Sequence, residues 1–241
     1  MDFLATLLLP THILAGFLCL SAGLLAIVLP KRGRTHRRVG RTFFWSMVYV
    51  NVSALLHITL VRWNTFLLVV AVLTFYQIFT GYRVLKRRQP GQQTWIDWTG
   101  ALVSMVAGLG LLLYGLTFLG QHTVAVILCG IFGFGTFFFA ARDVRWFLQP
   151  ERITDKMWWF YHHLSSMMGA YMAAVTAFAV NAGAELIAST AYGWLLWLLP
   201  TVVLTPLTSY WKRSYQRKFA AAREQRAVRR AETPAEMPVG V

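Results

Sequence analysis

Residues 7–29, LLLPTHILAGFLCLSAGLLAIVL, and the basic run that follows them at 31–41, KRGRTHRRVGR, decide the fold of this chain. An apolar helix needs about 20 residues to cross the hydrocarbon core of a membrane, so the first run predicts a transmembrane helix. Lys and Arg collect in short cytoplasmic loops, so the second run predicts that this helix ends in the cytoplasm. The N-terminus is therefore expected outside.

The rest of the chain repeats this pattern. Its composition, 57% hydrophobic and 13% charged, is typical of a membrane protein. Seven apolar stretches are long enough to span a membrane: 7–29, 42–61, 64–82, 96–119, 122–141, 157–181 and 187–210. We therefore predict an all-α fold, a polytopic bundle of seven transmembrane helices over residues 1–211. Residues 212–241 are predicted to form a basic cytoplasmic tail, helical at first and disordered at its end.

Basic residues are confined to one side of this predicted topology. All but one of the 23 Lys and Arg residues fall in four clusters, 31–41, 83–88, 142–156 and 212–230, and the exception is Arg62. Seven spans with every basic cluster inside put the N-terminus outside and the C-terminus in the cytoplasm. The net charge of +14 is then explained by the orientation of the protein in the membrane and by contact of its basic loops with anionic lipid headgroups. No stacking aromatic residues accompany it, so we predict no nucleic-acid binding.

Small residues recur at helix-packing intervals in two of the spans. The fourth has Gly100, Ser104, Gly108 and Gly115, and the fifth has Gly130 and Gly133. In lipid, small faces let helices approach closely, so these residues predict a tight seam between helices.

Histidines are nearly the only ionisable side chains within the predicted spans, where such groups are costly and mark functional sites. His12 lies upstream of the first basic cluster and His57 downstream of it, at roughly 28 Å and 24 Å from that boundary at about 1.5 Å per residue. These heights put the two side chains together near the outer face. His122, at the start of the fifth span, could join them.

The inner side offers a second group of candidate ligands. His36 lies in the first basic loop, and His163 shares a helix face with Met167 and Tyr171. The sequence does not decide whether His162 or His163 faces the bundle. Three carboxylates on this side could hydrogen-bond an imidazole and set its tautomer: Asp97, Asp143 and Asp155.

Three chemistries suit these histidines. Facing imidazoles in a helical bundle can ligate a haem iron, with Gly16 leaving room for the porphyrin beside His12. Histidines near opposite faces could instead relay protons. A set of imidazole and thioether ligands could hold copper. An imidazole close to the interface can also lie there at little cost, with no ligand at all.

We expect a haem-binding or redox-type protein of the bacterial cytoplasmic membrane. Haem b would be held by His12 and His57 on the outer side and by His163 on the inner side, and a metal would be held by His36, His163 and Met167. One alternative is a transporter or proton-coupled permease, in which Pro200 and Pro206 break the seventh helix. Another is an assembly or anchoring protein that uses the basic tail. The absence of Lys from residues 186–210 excludes a retinal Schiff base.

Several segments carry a family resemblance. In chain order they are His12-Ile-Leu-Ala-Gly16; Lys31-Arg-Gly33 with His36-Arg-Arg-Val-Gly40-Arg41; Gly81-Tyr82-Arg83; His163-Leu-Ser-Ser-Met167-Met-Gly-Ala-Tyr171; Thr176-Ala-Phe178 with Asn181; and Leu199-Pro200-Thr201 through Thr205-Pro206 to Tyr210-Trp211. In order and spacing they resemble a bacterial family of predicted multi-span membrane proteins of unknown function. The resemblance reaches about Arg213 and implies a cytoplasmic-membrane bundle, without an established activity. The family pattern also marks the positions of His12, His36, His57 and His163.

Overall fold

The computed structural model describes residues 2–31, 33–187 and 195–232, and this part of the chain is helical without any strand. The helices are α1 (Asp2–Val28), α2 (Arg34–Leu60), α3 (Thr65–Arg83), α4 (Trp95–Leu116), α5 (Thr123–Leu148), α6 (Trp158–Ile187) and α7 (Leu195–Glu232). Six of them, α1 to α6, are long and apolar enough to cross a membrane. The predictions of an all-α fold and of a multi-pass membrane protein are confirmed.

Helix α7 differs from the other six. Its apolar part is described only from Leu195, because residues 188–194 of the predicted seventh span lie outside the described residues. The helix continues through Pro200 and Pro206 and on to Glu232. The predicted break at these prolines, which supported a permease, is therefore wrong. The predicted helical extension of the tail is confirmed, while residues 233–241, predicted to be disordered, lie outside the described residues.

Side chains and glycines mark where the helices begin and end. Asn64 caps α3 by accepting a hydrogen bond from the backbone N–H of Leu67 at 3.1 Å. Thr94 and Asp97 form a capping box at the start of α4, with each side chain accepting from the other residue's backbone N–H. Gly120, with a φ of +78°, turns the chain between α4 and α5, where a residue with a Cβ would be strained.

Helix α3 lies at the centre of the bundle, where it packs against α2, α4, α5 and α6. Helix α1 packs on α2 and α6, and α7 packs on α6. Helices α4 and α5 approach each other closely. A Cβ added at Gly108 would lie 2.5 Å from the backbone nitrogen of Phe137 and 2.9 Å from the carbonyl oxygen of Gly133.

The predicted seam of small residues is confirmed in part. Gly108, Gly133 and Gly115 lie in it, and a Cβ at Gly115 would be 2.7 Å from the Cβ of Cys129. Gly100 instead faces the ring of Phe79 on α3, and a Cβ at Gly130 would meet nothing within 4 Å. Spacing along a helix identifies small residues but not the neighbour that each one faces.

Antiparallel packing brings the basic clusters to one end of the bundle, which we call the basic end. There the Lys31 ammonium lies 5.8 Å from the centre of the Trp211 ring, and Arg223 pairs with Asp155 at 2.9 Å. Arg62 lies at the opposite end, between α2 and α3. The clusters that are far apart in the sequence therefore form one surface.

Candidate functional site

A cavity of about 2300 Å³ lies at the basic end, between α1, α2, α6 and the basic half of α7. His36, His163 and Met167 line it. Its aromatic lining consists of Phe43, Phe44, Tyr82, Trp159, Phe160, Tyr171, Trp211, Tyr215 and Phe219. The three residues that were predicted to hold a metal therefore all line one cavity.

The imidazole of His163 is fixed against the end of α3. Its Nδ1 lies 2.8 Å from the carbonyl oxygen of Gly81. That carbonyl lies in the last turn of α3, where backbone carbonyl groups have no backbone N–H donor within the helix. The glycine allows the contact, since a Cβ at position 81 would lie only 3.0 Å from the Cβ of Ser166 on α6. Because a carbonyl oxygen only accepts, Nδ1 of His163 carries a hydrogen.

His36 is held in the same way at the end of α1. Its Nδ1 lies 3.0 Å from the carbonyl oxygen of Ala26, which also accepts from the Lys31 ammonium at 3.0 Å. In the uncharged form, both imidazoles then have the lone pair on Nε2. Among the described residues neither Nε2 has a hydrogen-bond partner. The rings are close enough to interact electrostatically.

This arrangement is the one that metal-binding histidines have in proteins. The nitrogen remote from the metal donates to a carbonyl or carboxylate, which sets the tautomer and orients the ring. His36 and His163 both have that support, and both line one cavity. Each of the two imidazoles therefore has an Nε2 atom that could ligate a metal.

The lining of the cavity is strongly cationic. Among the described lining residues there is no Asp or Glu, whereas ten are basic: Lys31, Arg34, Arg37, Arg38, Arg41, Arg88, Lys156, Lys218, Arg223 and Arg226. Of these ten, Arg223 has a carboxylate partner among the described residues, the half-buried Asp155. Burial lowers the pKa of the Lys31 ammonium. An apolar cavity with so much uncompensated positive charge suits an anionic ligand.

A second polar group lies on the other side of α6, around Asp143 of α5, which is fully buried. Its Oδ2 accepts from the Tyr76 hydroxyl at 2.8 Å and from the Thr80 hydroxyl at 2.6 Å. Arg142 donates to Oδ1 at 3.2 Å. One carboxylate thus joins α5 to α3.

His162 joins this group from α6. Its Nε2 lies 2.9 Å from the Thr80 hydroxyl oxygen and 3.6 Å from Asp143 Oδ2. A hydroxyl has one hydrogen, so if Thr80 donates to Asp143, Nε2 of His162 donates to Thr80. The adjacent histidines therefore have different neighbours: His162 contacts Thr80 and Asp143, whereas His163 contacts Gly81 and lines the cavity.

The other two carboxylates predicted to orient an imidazole contact arginines instead. Asp97 accepts from Arg83 Nε at 2.9 Å and Nη2 at 2.8 Å, and Asp155 pairs with Arg223. Burial acts to raise the pKa of Asp155, but the Met157 backbone N–H and the Arg223 guanidinium outweigh it, so this pKa lies below its usual value. Of the three, Asp143 is the one that lies beside an imidazole.

The predicted outer pair is also brought together. His12 Nδ1 lies 2.8 Å from Ser53 Oγ, which also lies 2.8 Å from the carbonyl oxygen of Tyr49. If the Ser53 hydroxyl donates to Tyr49, it accepts from His12 Nδ1. His12 and His57 are close enough to interact electrostatically. His57 Nδ1 is buried without a hydrogen-bond partner among the described residues.

His122 does not join the outer pair, so that expectation is wrong. It is exposed at the start of α5 and contacts the Phe118 ring, with 6.1 Å between ring centres. Among the described helices, α5 touches neither α1 nor α2. His122 lies at the same end of the bundle as His57, but on a helix with other neighbours.

The sequence reasoning missed Tyr76, Thr80 and Arg87. Arg87 is buried just beyond the end of α3, with its Nη2 3.2 Å from the Thr80 hydroxyl oxygen and its Nε 3.6 Å from Asp97 Oδ1. A signal did exist: Tyr76 and Thr80 are four residues apart, so they share a helix face in an apolar span.

Comparison with models of protein families, with curated proteins and with solved structures finds no match for this chain.

Proposed function

We propose that this chain is a seven-span protein of the bacterial cytoplasmic membrane that binds haem b at its basic end and has a redox role. The N-terminus is outside, the C-terminus is cytoplasmic, and α7 is the seventh span. The distribution of Lys and Arg supports this orientation, because short cytoplasmic loops collect basic residues. The resemblance to a bacterial membrane-protein family remains a prediction.

The observation that carries the proposal is the shared tautomer of His36 and His163 on one cavity. Haem is an apolar macrocycle with anionic propionates, so it needs apolar walls, cations at the rim and ligands for its iron. The cavity has aromatic walls and basic residues, and neither Nε2 atom has a hydrogen-bond partner in the described part of the chain. Bound haem would supply a one-electron redox couple.

Each group in the cavity has a part in this proposal. His36 and His163 hold the iron, and a basic residue of the lining such as Arg34 of α2 pairs with the propionates. The Met167 thioether lines the same cavity and is an alternative ligand to one imidazole. His12 and His57, at the opposite end, remain predicted ligands of a second group.

The test is the absorption spectrum of the protein purified in mild detergent, before and after dithionite. We expect a Soret band, with α and β bands that sharpen on reduction. His36→Gly and His163→Gly should lose this spectrum because each removes an iron ligand. Added imidazole should restore it by filling the space that the side chain left. His122→Gly is the matched control and should keep the wild-type spectrum, since this exposed histidine lies away from the cavity.

Two results would contradict the proposal. One is a colourless wild-type protein after expression with ample haem. The other is a spectrum that survives in the His36→Gly/His163→Gly double variant. Parallel variants at His12 and His57 distinguish haem at the basic end from haem at the opposite end. If the spectrum is lost in these variants and kept in the His36 and His163 variants, haem binds the outer pair.

A further inference from the structure

We propose that the mouth of this cavity binds the phosphate of an anionic amphiphile, a phospholipid such as phosphatidylglycerol. The phosphate would lie between basic residues of α2 and of α7, with the acyl chains against the aromatic lining. The site shares the cavity of the proposed haem but does not use His36 or His163, so it stands independently of that function.

The first support is charge that no protein group neutralises. Arg37, Arg38 and Arg41 come from α2, and Lys218 and Arg226 come from α7. Among the described residues none of the five pairs with a carboxylate. Like charges from two helices on one cavity repel each other and favour an anion between them. Guanidinium groups match phosphate oxygens with paired hydrogen bonds.

The second support is size. Sites for small molecules and cofactors have volumes of about 300–1,000 Å³. This cavity, at about 2300 Å³, has more than twice the space that one cofactor needs. The propionates of a haem would also neutralise only a small part of ten cationic side chains. Both the volume and the charge therefore leave room for a second anionic ligand.

The third support is the order of residues along α7. Trp211, Tyr215, Lys218, Ala222 and Arg226 are spaced three and four apart, and all of them line the cavity. This face changes from aromatic near the apolar part of the helix to cationic further along it. An amphiphile has the same order, with an apolar part inside the membrane and a charged group at its surface. Free phosphate would use the cations alone.

The position of α7 is held by contacts of its own. The rings of Tyr215 and Phe219 pack on Phe160 of α6, with ring centres 5.0 and 5.5 Å away, and Arg223 reaches Asp155. The basic half of the helix is thus a wall of the cavity, opposite α2. Cations of both helices therefore line one cavity.

Binding is tested by calorimetric titration of the purified protein with short-chain phosphatidylglycerol, short-chain phosphatidylcholine and inorganic phosphate. We expect phosphatidylglycerol to bind most tightly. Phosphatidylcholine should bind more weakly because its own choline neutralises the phosphate. Inorganic phosphate should bind more weakly because it lacks acyl chains. If inorganic phosphate binds as tightly as phosphatidylglycerol, the proposal of a lipid ligand is contradicted and the site binds simple anions.

Matched variants separate this site from general attraction to the basic end. Arg37→Gln/Arg41→Gln should weaken phosphatidylglycerol binding by about tenfold or more, since charge-assisted hydrogen bonds are lost. Arg145→Gln/Arg152→Gln removes two cations of the basic end that do not line this cavity, and it should change the affinity less than about twofold. Equal losses in the two variants would overturn the site.

A third variant distinguishes this inference from the proposed function. His36→Gly/His163→Gly should lose the haem spectrum and keep the affinity for phosphatidylglycerol. A variant that loses haem and lipid together would show one shared ligand site, which would overturn the independent phosphate site.

Discussion

Asp143→Asn is expected to lower the free energy of unfolding by about 3–5 kcal/mol, the cost of removing one partner from a buried ion pair. Asp143 is fully buried and accepts hydrogen bonds from Tyr76, Thr80 and Arg142. An asparagine of the same shape has one acceptor oxygen and an NH₂ group. Whichever way it turns, the NH₂ group faces a donor, and the charge opposite Arg142 is lost.

The two buried cysteines provide the measurement. Cys19 and Cys129 are free thiols and both are buried, so a thiol-reactive fluorophore reports unfolding of the detergent-solubilised protein. Asp155→Asn is the control, because it makes the same chemical change at a carboxylate whose pair is exposed, with side-chain exposures of 54% for Arg223 and 43% for Asp155. Exposed pairs contribute about 0–1 kcal/mol, so the control should unfold close to the wild-type temperature. Similar shifts in the two variants would contradict the structural role of Asp143.

The same substitution bears on the proposed site. Thr80 donates to Asp143, and the next residue, Gly81, accepts from His163. One short segment of α3 therefore holds both the buried network and the candidate ligand. We expect Asp143→Asn to weaken haem binding through the position of α6, although Asp143 does not line the cavity.

Gly108→Ala and Gly110→Ala are expected to change stability in opposite directions, although they are the same substitution two residues apart on α4. A methyl group at Gly108 would lie 2.5 Å from the backbone of Phe137, and backbone cannot move aside as a flexible side chain can. Overpacking of this kind costs about 1–3 kcal/mol. At Gly110 nothing lies within 4 Å of the added methyl, so the higher helix propensity of alanine should stabilise by up to about 1 kcal/mol.

Thermal unfolding with the same fluorophore compares the two variants. A lowered midpoint for Gly108→Ala and a raised one for Gly110→Ala would support the close approach of α4 and α5. Two unchanged midpoints would mean that the helices separate there without cost, which is inconsistent with the packing. Cys129 lies near this seam beside Gly115, so labelling at 25 °C should first show that the thiol remains protected.

The amino-acid sequence by itself determined the class of the protein, the first six spans and the gathering of basic residues at one end. These properties are local. A span depends on the transfer free energy of about 20 successive residues, and the charge at each end of the bundle depends on the loops beside the spans. The depth of each histidine also follows from counting residues along a helix. For this reason the closeness of His12 and His57 could be predicted.

Only the tertiary structure decided which helix faces meet. It placed His36 and His163 on one cavity and brought His162 beside Asp143. It also placed His122 on a helix that contacts neither α1 nor α2, and it made α7 a wall of the cavity. Small residues determine how closely a neighbouring helix can approach, and therefore how a helix is rotated about its own axis. Gly81 of α3, for example, leaves room for Ser166 of α6. Such contacts join residues far apart in the chain. Because helices in lipid are not driven together by the hydrophobic effect, the hydrophobic pattern of a single helix does not show which of its faces contacts a neighbour.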